Sequence, residues 1–236
     1  MIMKTFRSRC ILSIAIGLFL LLGAAAAPAG AAVFWLKASA FDKTMPDGTV
    51  VPMWGFGQCS ASFAPCSGPT VPGPELVVPP DDTTLTINLW NDLPATPGVG
   101  EPISLMIPGQ RTNGPPAPTY NADGRVFSFD KVIPVGAQGA FSWTALKPGT
   151  YLYQSAAHVG IQVQMGLYGA VLKDSSAGNA YQNVPYQKSA TFLFSDVDPS
   201  LHQAVASGNY GPGRAVTSPM GYHPRYFLIN GEGFSY

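Results

Sequence analysis

TTLTINLW, residues Thr83–Trp90, alternates without a break. Leu85, Ile87 and Leu89 fall on one face; Thr84, Thr86 and Asn88 fall on the other. A period of two marks a strand with one buried face and one wet face. Outward from it the signal recurs in AVFWLKASAF (Ala32–Phe41), ISLMI (Ile103–Ile107) and RVFSFDKVI (Arg125–Ile133). GAFSWTA (Gly139–Ala145), TYLYQS (Thr150–Ser155) and YGAVLK (Tyr168–Lys173) read the same way. GPTVPGPE, NADG and KPG punctuate these runs as turns. Strands so spaced predict an all-β sandwich. Composition agrees: 26 Gly and 23 Pro, with only 11% charged residues, suit a turn-rich β protein better than a helical one.

The character changes after Lys173. DSSAGNAYQNVPYQKS reads as a polar linker and ATFLFSDV (Ala190–Val197) as another strand. DPSLHQAVASG predicts one short helix, with Asp198 as N-cap, Pro199 in the first turn and Gly208 as terminator. RYFLIN (Arg225–Asn230) is a last strand. A strand-helix-strand piece this small cannot bury a core alone, so either it leans on the sandwich or the chain is missing its continuation.

The first 32 residues read as a signal peptide. Lys4, Arg7 and Arg9 open it, Ile11–Leu22 is apolar, and Ala29-Gly30-Ala31 offers a small-x-small cleavage site. A retained anchor is the alternative, although the apolar run is short against the roughly 20 residues of a membrane span. Export to a periplasmic or extracellular location is the expectation. Removing 32 of 236 residues leaves 204, enough for one large domain or one domain and part of another. The three basic residues leave with the leader, so 10 basic residues face 13 acidic ones. That balance points away from nucleic acid and from an anionic membrane surface. Cys59 and Cys66, in CSASFAPC, read as a disulfide in an oxidising compartment. A metal pair is the alternative, without a nearby histidine to complete it.

TVPGPELVVPPDDTTLTINLWNDLP (Thr70–Pro94) and KPGTYLYQSAAHVGIQVQMGLYGAVL (Lys147–Leu172) resemble motifs of one family, the bacterial multicopper oxidases. ISLMIPGQ lies where that family carries T-S-L-H-W-H-G. FLFSDVDPSLHQAVASGNYG and YHPRYFLINGEGF are similar to the opening of its second domain. The resemblance implies a Greek-key cupredoxin-like (plastocyanin-like) β-sandwich over 33–174. Residues 175–236 would then be a linker and the incomplete start of a second such domain.

The resemblance also implies copper as the family cofactor, with blue copper held by His, His and Cys and an oxygen-reducing cluster held by His-x-His pairs. Carried over position by position, Met106 and Pro108 stand where one histidine pair would be. Ala156 and His158 stand where the other would be. His158 is thus the candidate metal ligand, with Met106 and Met165, and Met53 beside them, as soft donors for Cu(I). The plainer reading makes His158 a loop histidine and the methionines core filler. His202 reads as a surface residue of the short helix and His223 as a structural or interdomain residue. Tyr151, Tyr153 and Tyr168 read as core aromatics whose hydroxyls need partners.

Three functions follow. In the first, the chain is a structural, non-catalytic module that works with further cupredoxin domains or subunits bearing the copper, and binds none alone. In the second it is a copper-dependent oxidoreductase, oxidising a metal ion or phenol and reducing dioxygen, within a fuller chain or assembly. In the third it binds copper without turnover.

Overall fold

A computed structural model describes residues 30–95 and 100–233. The leader lies outside the described residues except for its last three, Gly30, Ala31 and Ala32. These are the first residues of β1 (Gly30–Thr44). β1 forms a long hairpin with β2 (Val50–Cys59), in register from Trp35 opposite Cys59 to Thr44 opposite Val50. β3 (Leu76–Val78) leads into β4 (Asp82–Asp92), the alternating stretch, which runs parallel to β1. Leu85, Ile87 and Leu89 are fully buried, while Thr86 turns outward and shares a 3.0 Å hydrogen bond with Ser142.

A short ribbon of β5 (Thr119–Tyr120) and β6 (Val126–Ser128) precedes β7 (Gln138–Thr144), which pairs with β4. The first sheet has the order β2-β1-β4-β7. β8 (Gly149–Gln154), helix α1 (Val159–Met165) and β9 (Tyr168–Lys173) follow, and the second sheet has the order β3-β9-β8. Leu36, Ile87 and Trp143 from one sheet meet Leu76, Tyr153 and Val171 from the other in a single core, so the molecule is an all-β sandwich.

Three expectations are corrected. Ile103–Ile107 is no ladder strand: it is held only by single bridges, Ile103 to Ile133 and Met106 to Gln154. Its alternate residues Ile103, Leu105 and Ile107 are still buried, which produced the strand signal. Within Arg125–Ile133 only β6 is a strand. The polar linker carries a small hairpin, β10 (Asn179–Tyr181) with β11 (Val184–Pro185).

The C-terminal piece holds β12 (Phe194–Val197), helix α2 (Pro199–Ala206), β13 (Tyr226–Ile229) and β14 (Glu232–Gly233), with sheet order β12-β13-β14. Asp198 caps α2 by accepting from the Ser200 and Leu201 backbone N–H groups at 2.9 and 3.4 Å. Val197 and Leu228 pack with Met45, Val51, Met53, Val71 and Tyr168 of the sandwich in a second core cluster. The piece therefore does lean on the first domain. No helix among the described residues is long and apolar enough to cross a membrane.

His202 is not a surface residue. It is fully buried on the face of α2 that also buries Leu201 and Val205. Its Nδ1 donates to the Pro52 carbonyl at 2.9 Å. Nε2 lies near the Gln164 carbonyl without a hydrogen bond of acceptable geometry. Burial pushes the imidazole pKa below its ordinary 6.5, against the pull of Pro52 and Asp198. The unfolded chain then binds the extra proton, so this residue's contribution is full above about pH 6.5 and is lost as pH falls below it. Glu101, whose pKa lies below its ordinary 4.5, loses its contribution only at lower pH. The urea midpoint is therefore expected to fall as pH drops from 6.5 toward 4.5. His202→Gln should flatten that slope; an unchanged slope would refute the assignment.

Candidate functional site

The site forms where β8 ends. Beyond Gln154 the chain turns through Ser155, Ala156 and Ala157 to His158, which precedes α1 in a left-handed conformation (φ 39°, ψ 50°). That conformation is sparse for a residue with a Cβ and is held by its surroundings. The His158 N–H donates to the Phe127 carbonyl at 2.8 Å, and the His158 carbonyl accepts from Ile161 and Gln162 to start the helix.

The imidazole is fixed by Glu101. Nδ1 lies 2.9 and 3.0 Å from the two carboxylate oxygens. Gln162 Nε2 donates to Glu101 Oε2 and to the Pro102 carbonyl, both at 3.0 Å. The Ser155 hydroxyl donates to Gln162 Oε1 at 2.5 Å. Ser155 and Gln162 are fully buried. The rings of Phe127 and Tyr210 flank His158 at 6.1 and 5.9 Å between centroids. Burial raises the Glu101 pKa, but the hydrogen bonds from His158 and Gln162 and the His158 charge outweigh it, so the carboxyl stays below its ordinary range. Tyr210 is pushed up, by burial first and then by the Glu101 charge.

Sequence reading singled out His158 but missed Glu101 and Gln162. One signal existed: Glu101 is the sole acid between Asp92 and Asp123. A pair separated by 57 residues has no local pattern to reveal it.

The other candidate positions are spread over several elements, Met53 on β2, Met106 on the segment bridged to β8 and Met165 at the end of α1. Ala156 is fully buried and Pro108 exposed, and neither has a donor atom on its side chain. Met165 is fully buried at the far end of α1, seven residues on, which is about 10 Å along a helix. Met53 belongs to the second core cluster and Met165 to the first. Met106 is half-buried, its backbone bridged to Gln154. Cys59 and Cys66 form a disulfide and offer no thiolate. The His223 backbone N–H donates to Asp198 Oδ2 at 2.9 Å, tying the loop before β13 to the helix cap. Among the described residues no three His, Cys, Asp or Glu side chains converge as a metal site. A copper centre draws on several imidazoles or thiolates. One imidazole, with no second imidazole or thiolate beside it among the described residues, does not fit it.

Residues 65–177 match the family model described as multicopper oxidase. No curated protein matches the chain. Among solved structures, the copper nitrite reductase from Nitrosomonas europaea superposes with TM-score 0.55 at 16% identity, over 86% of this chain and 57% of that one. Fet3p, titled a multicopper oxidase that functions in iron import, gives TM-score 0.55 at 18% identity, over 86% and 33%. A mutant of the laccase from B. aclada gives 0.52 at 18% identity, over 86% and 32%. At these identities the likeness is one of fold, and the chain spans between a third and just over half the length of such structures. Residues 65–177 thus match a multicopper oxidase domain, and the sandwich described above has the fold these copper proteins share.

Proposed function

We propose that this chain is an exported structural module of a multicopper-oxidase-type assembly, non-catalytic alone, which packs against copper-bearing cupredoxin domains. One observation carries the reading. The fold is kept, yet the positions that resemble the copper-ligand pairs hold Met106, Pro108 and Ala156, which leaves His158 alone. The basic, apolar and small-residue order of residues 1–32 supports export.

The docking face lies on the outer side of β12 and β13. Side chains alternate along a strand, so Val197 and Leu228 face inward while Phe194 and Phe227 face outward. Phe194 is 75% exposed and Phe227 62%. Aromatic side chains displayed together on a sheet face mark an interaction surface.

A second reading is favoured by the family match: oxidation of a metal ion or a phenol, with ligands completed by other domains. The two separate in one assay. Loaded with Cu(II), the purified chain is expected to oxidise neither ferrous ion nor a phenol, until a copper-bearing cupredoxin protein is supplied. Turnover by the chain alone would overturn the structural reading. Copper binding without turnover, lost in His158→Ala, would select the third possibility.

A further inference from the structure

Beside the exposed phenylalanines, β12, β8 and α1 enclose a cleft of about 230 Å³. Leu152 and Phe194 form apolar walls, and Gln154, Gln164, Ser195 and Asp196 supply its polar lining. Asp196 is the only charged residue in that lining. One of its oxygens accepts from the Tyr222 hydroxyl at 2.7 Å, which fixes the carboxylate. The ion pairs among the described residues leave Asp196 without a cation. Ser195 Oγ is buried beside the Tyr168 hydroxyl without a hydrogen bond of acceptable geometry.

Such a cleft lacks a donor-rich cation. It offers one carboxylate and two amide oxygens, under an exposed aromatic ring. A guanidinium carries five N–H donors in a planar fork and stacks on aromatic faces. A lysine ammonium has three donors and no plane to stack. Charge, donor count and shape therefore converge on arginine, a residue enriched at the anchors of protein interfaces.

We propose that the cleft receives an arginine side chain of the docking partner, its guanidinium on Asp196 and its plane against Phe194. The inference rests on the docking reading above and names the chemistry the partner brings. The apolar walls take its hydrocarbon stem, and the glutamine amide oxygens accept from the guanidinium edge.

The test is an NMR titration of the full chain with N-acetyl-arginine methylamide, beside its uncharged isostere N-acetyl-citrulline methylamide. Saturable shifts at Gln154, Gln164, Ser195 and Asp196 are expected with arginine, with citrulline at least tenfold weaker. Asp196→Asn should weaken arginine binding at least tenfold. Gln154→Lys, which sets a cation of the chain's own in the cleft, should abolish it without touching the Tyr222 bond. Equal binding of citrulline, or arginine binding untouched by both variants, overturns the proposal. The docking reading fails separately: Phe227 lies outside the cleft lining, so Phe227→Ser should weaken association with a copper-bearing cupredoxin partner. Unaltered association in that variant sinks the docking face while leaving the arginine site standing.

Discussion

Gly166→Ala is expected to cost about 2–6 kcal/mol of stability, the sum of a backbone penalty and an overpacking penalty. Gly166 ends α1 at φ 120°, a backbone conformation open to glycine and closed to residues with a Cβ. Forcing alanine there costs about 1–3 kcal/mol. The added methyl would also overlap the Trp54 carbonyl oxygen and Val71 Cγ2. The first of these is backbone within the β1–β2 ladder and has nowhere to retreat. Overpacking of this kind costs about 1–3 kcal/mol more. Gly48→Ala separates the two penalties, because Gly48 has φ 83° and a methyl added there would meet nothing within 4 Å. Urea unfolding should place Gly48→Ala nearer wild type, with the backbone penalty alone. Equal losses in the two variants would show that the close approach to Trp54 and Val71 contributes nothing.

That glycine also shows what the sequence disclosed and what it withheld. Its place in the family-like stretch Lys147–Leu172 was visible, yet that stretch does not say which atoms press on it. β4 was legible because one face is buried and one wet, so period two survives in the residues themselves. α2 was legible because Asp198 and Pro199 announce a helix start by local chemistry.

β2 was not legible. Its Gly55 and Gly57 interrupt the strand pattern, and they sit where the Thr70 and Ser67 carbonyls approach too closely for any side chain. α1 was hidden in the same way, since Val159, Gly160, Ile161 and Val163 are poor helix formers. Tertiary contacts make the helix: Ile161, Gln162 and Met165 are buried, and Gln162 bonds back to Glu101. His202 was misplaced because a helix of eight residues does not reveal which face its neighbours cover. Of the candidate site, His158 was readable from the motif, but its carboxylate partner comes from a distant loop.

Tyr153→Ala is expected to cost about 3–5 kcal/mol from lost packing. Against a total of about 5–15 kcal/mol for a domain, that is enough to unfold a marginal one. Tyr153 has no exposed surface and stacks obliquely on Phe56 at 5.6 Å between centroids. Its hydroxyl donates to the Pro74 carbonyl at 2.8 Å, which ties β8 to the turn before β3. Burial holds its pKa far above the ordinary tyrosine range, so the hydroxyl remains a donor at any pH the fold survives. Gly73 and Gly169 are both glycine where the phenol passes, and a Cβ at either would run into the Tyr153 hydroxyl. The pocket is therefore shaped to this one side chain and collapses poorly when it is removed, which places the cost at the upper end of the range. Tyr153→Phe isolates the hydroxyl: it keeps the ring and leaves the Pro74 carbonyl unpaired, for about 1–3 kcal/mol. Urea midpoints should rank wild type, Phe, then Ala. If Phe proves as damaging as Ala, the Pro74 bond rather than the ring holds the sheets together at this point. The strand that Tyr153 anchors is also the one that delivers Ser155 and His158 to Glu101, so the Ala variant should loosen the His158–Glu101 pair as it loosens the core.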